Sequence, residues 1–212
     1  MKISLAPVVS LLHGARHSTL ATQSLAMPGY PYATVLPNVL DQGHRPVLLV
    51  SALAEHSKNI LSDPRVSISL TEPRIDKVQE GARLTLVGDA ERFDADALMR
   101  ERYLRYEPEA EQYLLLDFMF FRILPRRLRY IGGVGKMGWL EAADLAALPS
   151  LSPADEALLV ELACTRVPQE TQVLGVDPFG IDYLAKGSRG RAVLDPAGNV
   201  REQVLAVAPT LA

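Results

Sequence analysis

The stretch Pro46–Leu70 constrains the fold more than any other part of the chain, because its hydrophobic pattern changes twice within a short distance. Val47–Ser51 is an apolar run rich in β-branched residues, which predicts a strand. Ala54–Leu61 then separates apolar and polar residues onto two sides of a short helix. After a turn signal at Asp63-Pro64, residues 66–71 alternate between apolar and polar side chains. The stretch therefore predicts strand, helix, strand.

The start of this short helix combines hydroxyl groups with the imidazole of His56 and the ammonium group of Lys58. Unpaired N–H groups and the helix dipole favour negative charge at such a position. One interpretation is therefore an anionic ligand held between two strands. The other is a solvated helix start on a β-rich domain, and the pattern by itself favours this second interpretation.

The residues up to about 135 read as strands joined by short turns and short helices, a pattern that favours a barrel over a doubly wound sheet. A glycine inside the strand 83–93 suggests a bulge or a close backbone approach there. Asp94 is the expected N-cap of a helix that follows this strand. Besides the two strands already described, strands are predicted at Ser18–Thr22, Tyr32–Val39, Arg83–Phe93, Met119–Leu124 and Arg127–Ile131.

The tail of the chain predicts a second, small α+β unit. Trp139–Pro153 is rich in Ala, Leu, Pro and Ser and reads as a linker. Ser152 is the expected cap of a helix over Ala154–Cys164, and the sequence DPFG predicts the turn of a hairpin. A third strand at Arg191–Leu194 and a closing helix complete the unit. We therefore expect two domains, residues 1–140 and 150–212.

Composition excludes several classes of function. The net charge is −3, no basic tail is present and few residues are aromatic, so nothing indicates a nucleic-acid partner. The single cysteine, Cys164, excludes an intramolecular disulfide and a cysteine-built zinc site, which fits a reducing compartment. No apolar run approaches the length of about 20 residues that a membrane span requires. We expect a cytoplasmic protein.

The sequence motifs that could indicate a nucleotide, metal or anion site are weak. The glycine-rich run IGGVGKMGW does not match a phosphate-binding loop, because Met137 stands where that loop needs a serine or threonine. His13 and His17 are spaced for one helical face, but no third metal ligand is evident, so no metal site is predicted. The stretch Phe118–Tyr130 carries four arginines, which indicate either an anion-facing wall or a charged edge strand. The sequence identifies no catalytic residue.

Several segments together resemble the FMN-binding split barrels related to pyridoxamine 5′-phosphate oxidase, and within them the branch that contains haem-utilisation proteins. The resemblance covers about residues 8–140, and the tail is similar to the small α+β domain that often follows the barrel in that branch. The segments are, in chain order, LATQSLAMPGYPYATVLP, LLVSALAEHSKNILSDPRVSISL, RLTLVGDAERF, RYLRYEPEAEQYLLLDFMFFRI and RYIGGVGKMGW.

This resemblance implies a mainly β fold, a six-stranded split β-barrel followed by a small α+β domain. It also implies a homodimer with cofactor sites between the subunits, and an FMN-binding flavoprotein with redox activity on a small molecule. In flavin-binding members, the positions that correspond to Tyr32–Leu36 and Ser51–Lys58 hold the phosphate, and the strand that starts at Arg83 lies along the ring. Transferred by position, the cofactor-binding candidates are Thr34, Ser51, His56, Ser57, Lys58, Arg83 and Thr85.

Two departures from the family pattern separate this chain from the oxidases. Thr34 stands about where the oxidases have an arginine, and Glu55-His56 stand where they have an Arg-Lys pair. Hydrogen bonds from a positively charged donor bind phosphate more strongly than hydrogen bonds from a neutral donor. We therefore expect a weakened phosphate site and no pyridoxamine phosphate oxidase activity. The resemblance to the haem-utilisation branch implies haem as the alternative cofactor to FMN. A dimeric scaffold without a cofactor is the third possibility. The tail contains no histidine, so a histidine ligand to haem must be His13, His17, His44 or His56.

Overall fold

The computed structural model describes residues 4–73, 75–133 and 136–212. Its helices are α1 (Leu5–Gly14), α2 (Glu55–Ser62), α3 (Ala97–Tyr106), α4 (Ala142–Ala146), α5 (Pro153–Cys164) and α6 (Val200–Val207), with 3₁₀ helices at Pro108–Leu115 and Ala208–Thr210. Its strands are β1 (His17–Gln23), β2 (Pro31–Pro37), β3 (Val39–Leu40), β4 (Pro46–Ser51), β5 (Arg65–Thr71), β6 (Arg83–Phe93), β7 (Phe118–Ile131), β8 (Met137–Glu141), β9 (Thr171–Asp177), β10 (Gly180–Ala185) and β11 (Ser188–Val193).

The first eight strands form one antiparallel sheet in the order β2-β1-β5-β6-β7-β4-β3, with β8 paired to β7. The sheet curls into a half-barrel, and the fold is mainly β, as the sequence predicts. The six longer strands of this sheet account for the seven predicted strands, because the last two predicted strands form the single strand β7, and β3 and β8 are short additions. A second sheet, in the order β11-β10-β9, is built entirely from the tail.

A bulge between β6 and β7 shapes the longest ladder of the sheet. The register shifts after Val87, so that Gly88 pairs with Pro125 and Arg126 has no partner of its own on β6. A Cβ atom on Gly88 would lie 2.4 Å from the carbonyl oxygen of Leu124, so only glycine allows this approach. The prediction of a bulge is confirmed. The prediction of two strands split at the proline is wrong, because a bulge tolerates a missing N–H and β7 continues through it.

The two faces of the main sheet have opposite character, because successive side chains alternate along each strand. The inner face lies against α1, which contributes Val8, Val9 and Leu12 to the main core. One register row on this inner face contains Leu20, Ile68, Leu86, Leu128 and Leu140. The neighbouring row on the outer face contains Val35, Thr19, Ser69, Thr85, Arg129 and Trp139. The outer face is therefore polar and solvent-exposed in the single chain.

The tail packs closely against the barrel. Phe179, in the turn between β9 and β10, belongs to the main core of the barrel and is only 4% exposed. Leu174 of β9 packs with Tyr103 and Phe120 in a second core. The residues between the two sheets are not simply a linker as predicted, because residues 137–146 form β8 and α4. Among the described residues, no helix has both the length and the apolar character that a membrane crossing requires.

Helix caps test the local predictions. The Ser152 hydroxyl accepts a hydrogen bond from the Asp155 N–H at the start of α5, as predicted. Asp96 rather than Asp94 caps α3, where its Oδ1 accepts from the Met99 N–H at 2.8 Å. The expected residue was therefore two positions early, because both aspartates precede the helix and only tertiary packing sets where the first turn begins.

Phe179→Ala tests whether the barrel and the tail unfold together. We expect this substitution to lower the free energy of unfolding by about 3–5 kcal/mol, because it opens a cavity in the core of the barrel. Urea unfolding of the unchanged protein, followed by circular dichroism, should show a single transition, and the variant should shift its midpoint. Val193→Ala, on an exposed position of β11, is the matched control. A separate transition for the tail would contradict the expectation.

Candidate functional site

The start of α2 is held in place by the two serines that the sequence analysis selected there. The Ser57 hydroxyl donates to the carbonyl oxygen of Ser51 at 2.6 Å, and Ser57 is fully buried. The Ser51 hydroxyl accepts from the N–H of Leu53 at 3.2 Å. These bonds close the turn between β4 and α2. Ser57 therefore positions the segment, and its hydroxyl already has a partner.

Asn59 fixes the inner side of α2 and was not selected as a site residue from the sequence. Its side chain is fully buried; Nδ2 donates to the Thr22 hydroxyl at 2.9 Å, and Oδ1 accepts from the Leu25 N–H at 2.8 Å. The residue thus joins the helix to β1 and to the loop that follows β1. Nothing in the sequence indicated this role, because both partners of Asn59 lie far away along the chain.

His56 differs from the other polar residues of α2. Its Nε2 is buried, and no residue within 4–73, 75–133 or 136–212 gives this atom a hydrogen-bond partner. Burial lowers the pKa of His56 below its usual value, so the ring is neutral at pH 7. A buried polar atom without a partner costs free energy, of order 1–3 kcal/mol. His56 therefore offers a neutral imidazole nitrogen whose partner is missing from the described chain.

Lys58 points away from this core, toward a groove of about 470 Å³ beside the loop after β1. Leu25, Leu53 and Glu55 also line the groove. Ala54, the N-cap of α2, provides no side-chain hydrogen bond to the helix start. The single lysine is opposed by Glu55 in the first turn, so this helix start has little net positive charge to hold a phosphate.

The remaining candidates lie elsewhere on the sheet. Thr34 pairs with Leu20 and so shares the inner face at the edge strand β2. Thr85 pairs with Ser69 on the outer face. Arg83 is on the outer face too, and its Nη1 donates to the carbonyl oxygens of Val78 and Gln79 in the loop after β5. One chain therefore does not bring Thr34 and Thr85 together, because they lie on opposite faces.

The arginines of β7 divide into structural ones and one that is available to a ligand. Arg122 lies 2.8 Å from Asp41, and Arg126 donates to Asp89 at 2.6 Å. Arg127 lies 4.1 Å above the ring of Trp139 and also donates to Glu141. Arg129 is near the same ring, at 5.2 Å, and has no carboxylate partner among the residues that the structure describes. These contacts show that most of the arginines neutralise nearby carboxylates, whereas Arg129 could face an anion, so each interpretation holds for part of this strand.

His13 and His17 do not form the pair that their spacing suggests. His17 is exposed at the start of β1, whereas His13 is buried and lies 2.9 Å from His44, nitrogen to nitrogen. His13 also contacts Asp182 of β10 at 3.0 Å. Sequence reasoning missed this cluster, because its members come from α1, a loop and the tail sheet.

Comparison with known proteins supports a family assignment. Residues 6–132 match the family described as pyridoxamine 5′-phosphate oxidase. The chain is 35% identical over 127 residues to the chloroplastic heme oxygenase HOZ of Arabidopsis thaliana, covering 59% of this chain and 39% of that protein. It is 31% identical over 139 residues to the heme oxygenase HutZ of Vibrio cholerae, covering 60% of this chain and 76% of that protein. The family match therefore lies in the barrel, and each of the two relatives matches about three fifths of the chain.

A solved structure extends the similarity over the whole chain. The heme-binding protein of Mycobacterium smegmatis superimposes with a TM-score of 0.65 and 26% identity, and the match covers 100% of both chains. This structure therefore shares the tail as well as the barrel. The chain spans well under half of the plant protein's length, so the activity of that whole protein does not transfer by similarity.

Asn59→Ala tests how the α2 segment is held. We expect it to lower the free energy of unfolding by about 2 kcal/mol, because the Leu25 N–H loses its acceptor and the Thr22 hydroxyl its donor. Urea unfolding measures this loss, and limited proteolysis should show faster cleavage in the loop after β1. Lys58→Ala, on the exposed side of the same helix, should change stability by less than about 0.5 kcal/mol. Equal effects of the two substitutions would contradict the assigned role of Asn59.

Proposed function

The chain belongs to the pyridoxamine 5′-phosphate oxidase family, in the branch that contains haem-utilisation proteins, and we propose that it is a haem-binding protein. The observation that carries the proposal is the partnerless, neutral imidazole of His56. The named relatives agree with it, since two are heme oxygenases and one is a heme-binding protein. Degradation of haem is the activity that the first two names suggest for this chain.

His56 is the histidine best suited to ligate the iron. Both ring nitrogens of His13 and of His44 already have partners within the buried cluster. His17 is exposed, so water can satisfy its ring. An iron ligand must be a neutral imidazole with a free nitrogen, which is the state of His56. When bound, haem would supply iron-based redox chemistry, which the residue that holds the iron would tune.

The outer face of the sheet offers a second set of contacts for the same ligand. Arg129 lies beside Thr85, and the half-exposed Trp139 lies on the other side of Arg129, in a row of mostly short side chains. Guanidinium groups suit carboxylates, and an aromatic face suits a flat macrocycle. Since α2 and this face are separate within one chain, we propose that His56 of one copy and the outer face of a second copy enclose the ligand.

Exposed leucines support assembly from two copies. Leu53, Leu115 and Leu116 are 77%, 87% and 62% exposed. A hydrogen bond of 2.7 Å from the Ala52 N–H to the Asp117 carbonyl oxygen brings their segments together. An exposed apolar patch of this kind marks an interface. Members of the family are commonly dimeric and bind small ligands, and we propose the same for this chain.

FMN is the second candidate cofactor, with flavin-dependent redox as the corresponding activity. The uncapped start of α2 and Lys58 favour an anion beside the groove at Leu53. The site fits a flavin phosphate only weakly, because Glu55 opposes Lys58 and Thr34 carries no charge. Haem has no phosphate group, so the low positive charge around Lys58 argues less against haem binding than against FMN binding.

Haem titration separates the candidates. We expect the unchanged protein to bind haem with a shifted Soret band, and His56→Ala to weaken binding at least about tenfold, equivalent to about 1.4 kcal/mol. The variant should also change the Soret position, because that position depends on the residue that holds the iron. His17→Ala is the matched control and should alter neither property. The spectrum of the protein as purified, followed by FMN titration, tests the second candidate.

Three outcomes would redirect the assignment. Haem binding that is unchanged in His56→Ala would show that another group ligates the iron. Flavin absorption bands without haem binding would favour FMN and a redox substrate. Binding of neither cofactor would favour a dimeric scaffold without a cofactor.

Leu115→Glu tests the assembly. We expect the unchanged protein to have the mass of a dimer by light scattering, and the variant to have the mass of a monomer, because a charge would be buried at the interface. Leu158→Glu, at an exposed leucine on α5, is the control and should remain dimeric. A monomeric unchanged protein would contradict assembly from two copies.

A further inference from the structure

A cluster of buried ionisable groups joins the tail sheet to the barrel, far in sequence from α2. His13 comes from α1 and His44 from the loop before β4, while the tail contributes one residue from each of its strands. All five side chains are at least nine-tenths buried. The five are His13, His44, Asp177, Asp182 and Arg191.

The hydrogen bonds of His44 fix where its proton lies. Its Nε2 is 2.9 Å from the carbonyl oxygen of Pro149, which can only accept, so Nε2 carries the hydrogen. Burial, and then the neighbouring His13, lower the pKa of His44 to about 4. His44 is therefore neutral at pH 7, and its Nδ1 must accept a hydrogen bond.

The same reasoning makes His13 doubly protonated. Its Nε2 lies 2.9 Å from the accepting Nδ1 of His44, so Nε2 donates. Its Nδ1 lies 3.0 Å from Oδ2 of Asp182, a carboxylate that can only accept, so Nδ1 donates as well. His13 is thus an imidazolium, and His44 is the neutral base beside it.

This assignment balances the charge of the cluster. The positive charges of His13 and Arg191 face the negative charges of Asp177 and Asp182. Arg191 donates to both carboxylates, at 2.6 Å to Asp182 and at 2.8 and 2.9 Å to Asp177. The hydroxyl of Tyr106 donates to Asp182 at 2.6 Å. A neutral, hydrogen-bonded set is the form in which buried charges are tolerated.

The geometry could also suggest a metal ion. His13, His44 and Asp177 have ligand atoms within 4.8 Å of one another, the one such group among the described residues. A divalent ion in place of the His13 proton would add a second unit of positive charge beside Arg191 without any new carboxylate. The balance of charge therefore favours the proton.

We propose that the His13–His44 pair is an acid-sensitive contact that fixes the tail sheet to the barrel. Protonation of His44 puts a hydrogen on its Nδ1, opposite the N–H of His13, so the hydrogen bond is lost and two imidazolium ions face each other. The other groups facing His44 are Asp177, Arg191, the Pro149 carbonyl and the ring of Phe179, and the Nδ1 atom of His44 makes no hydrogen bond to any of them. The tail must then move away from the barrel or His44 must leave the cluster.

The sign of the pH dependence follows from His44. Its pKa is near 6.5 in the unfolded or released state and about 4 in the docked state, so the docked state binds fewer protons between these values. The contribution of the contact is complete above pH 6.5. It decreases as the pH falls from about 6.5 to about 4. Acid therefore releases the tail.

His44→Asn removes the titration and keeps the acceptor. His44 has a φ of 60°, a left-handed conformation that asparagine tolerates better than most residues. The Asn side-chain oxygen can replace Nδ1 as acceptor for His13 and cannot be protonated in this range. Hydrogen exchange of β9 and β10, followed by mass spectrometry and corrected for intrinsic rates, reports docking of the tail at pH 7, 5.5 and 4.5.

We expect the protection of β9 and β10 to fall more than tenfold between pH 7 and 4.5 in the unchanged protein, and by much less in His44→Asn. His17→Asn, at the exposed histidine of β1, should behave like the unchanged protein. Equal pH profiles for the unchanged protein and His44→Asn would overturn the proposal.

A second measurement needs no variant. The ¹⁵N shifts of the two ring nitrogens of each histidine, in the unchanged protein at pH 7, should identify His13 as an imidazolium and His44 as a neutral ring with its hydrogen on Nε2. A neutral His13 would overturn the assignment. So would Zn²⁺ binding that changes these four ring-nitrogen signals, since a metal ion would then occupy the place of the proton.

Discussion

The structure depends on the neutralisation of charges that are buried between the tail and the barrel. Arg102 of α3 is almost completely buried and donates to Glu156 of α5 at 2.8 Å. Arg105 reaches the same carboxylate, and the His13 cluster lies beside this set. Removal of one partner from such a set leaves an uncompensated charge, which costs several kcal/mol. The tail is therefore joined to the barrel by interactions that tolerate little separation, although the two sheets are distinct.

The sequence predicted what depends on local periodicity. Local hydrophobic patterns located the six long strands, with β7 predicted in two pieces, and Gly88 indicated its bulge, because both signals lie within a few neighbouring residues. The sequence could not show that β7 continues through Pro125, since that depends on the partner strand β6. Nor could it pair His13 with His44, because the two residues meet only after the sheet has curled.

In the candidate site too, the sequence predicted what neighbouring residues determine and missed what depends on distant residues. The α2 segment was recognised from its residues, yet the roles of Ser57 and Asn59 became evident only from their buried partners. Transfer by position selected Thr34 and Thr85, which the alternation of the sheet places on opposite faces. A site that draws on two copies of a chain leaves no contiguous signal in one sequence. The location of His56 was predictable, but its missing partner was not.

The position of Phe179 has a consequence for synthesis on the ribosome. All strands of the barrel are translated before this residue, yet its ring fills part of their core. Until the β9–β10 turn leaves the exit tunnel, the nascent barrel has an unfilled apolar cavity, and Arg102 has no counter-charge until α5 has emerged. The barrel, which is made first, is therefore completed by the shorter tail, which is made last. We expect the nascent chain to need protection from aggregation for longer than its strand order alone would require.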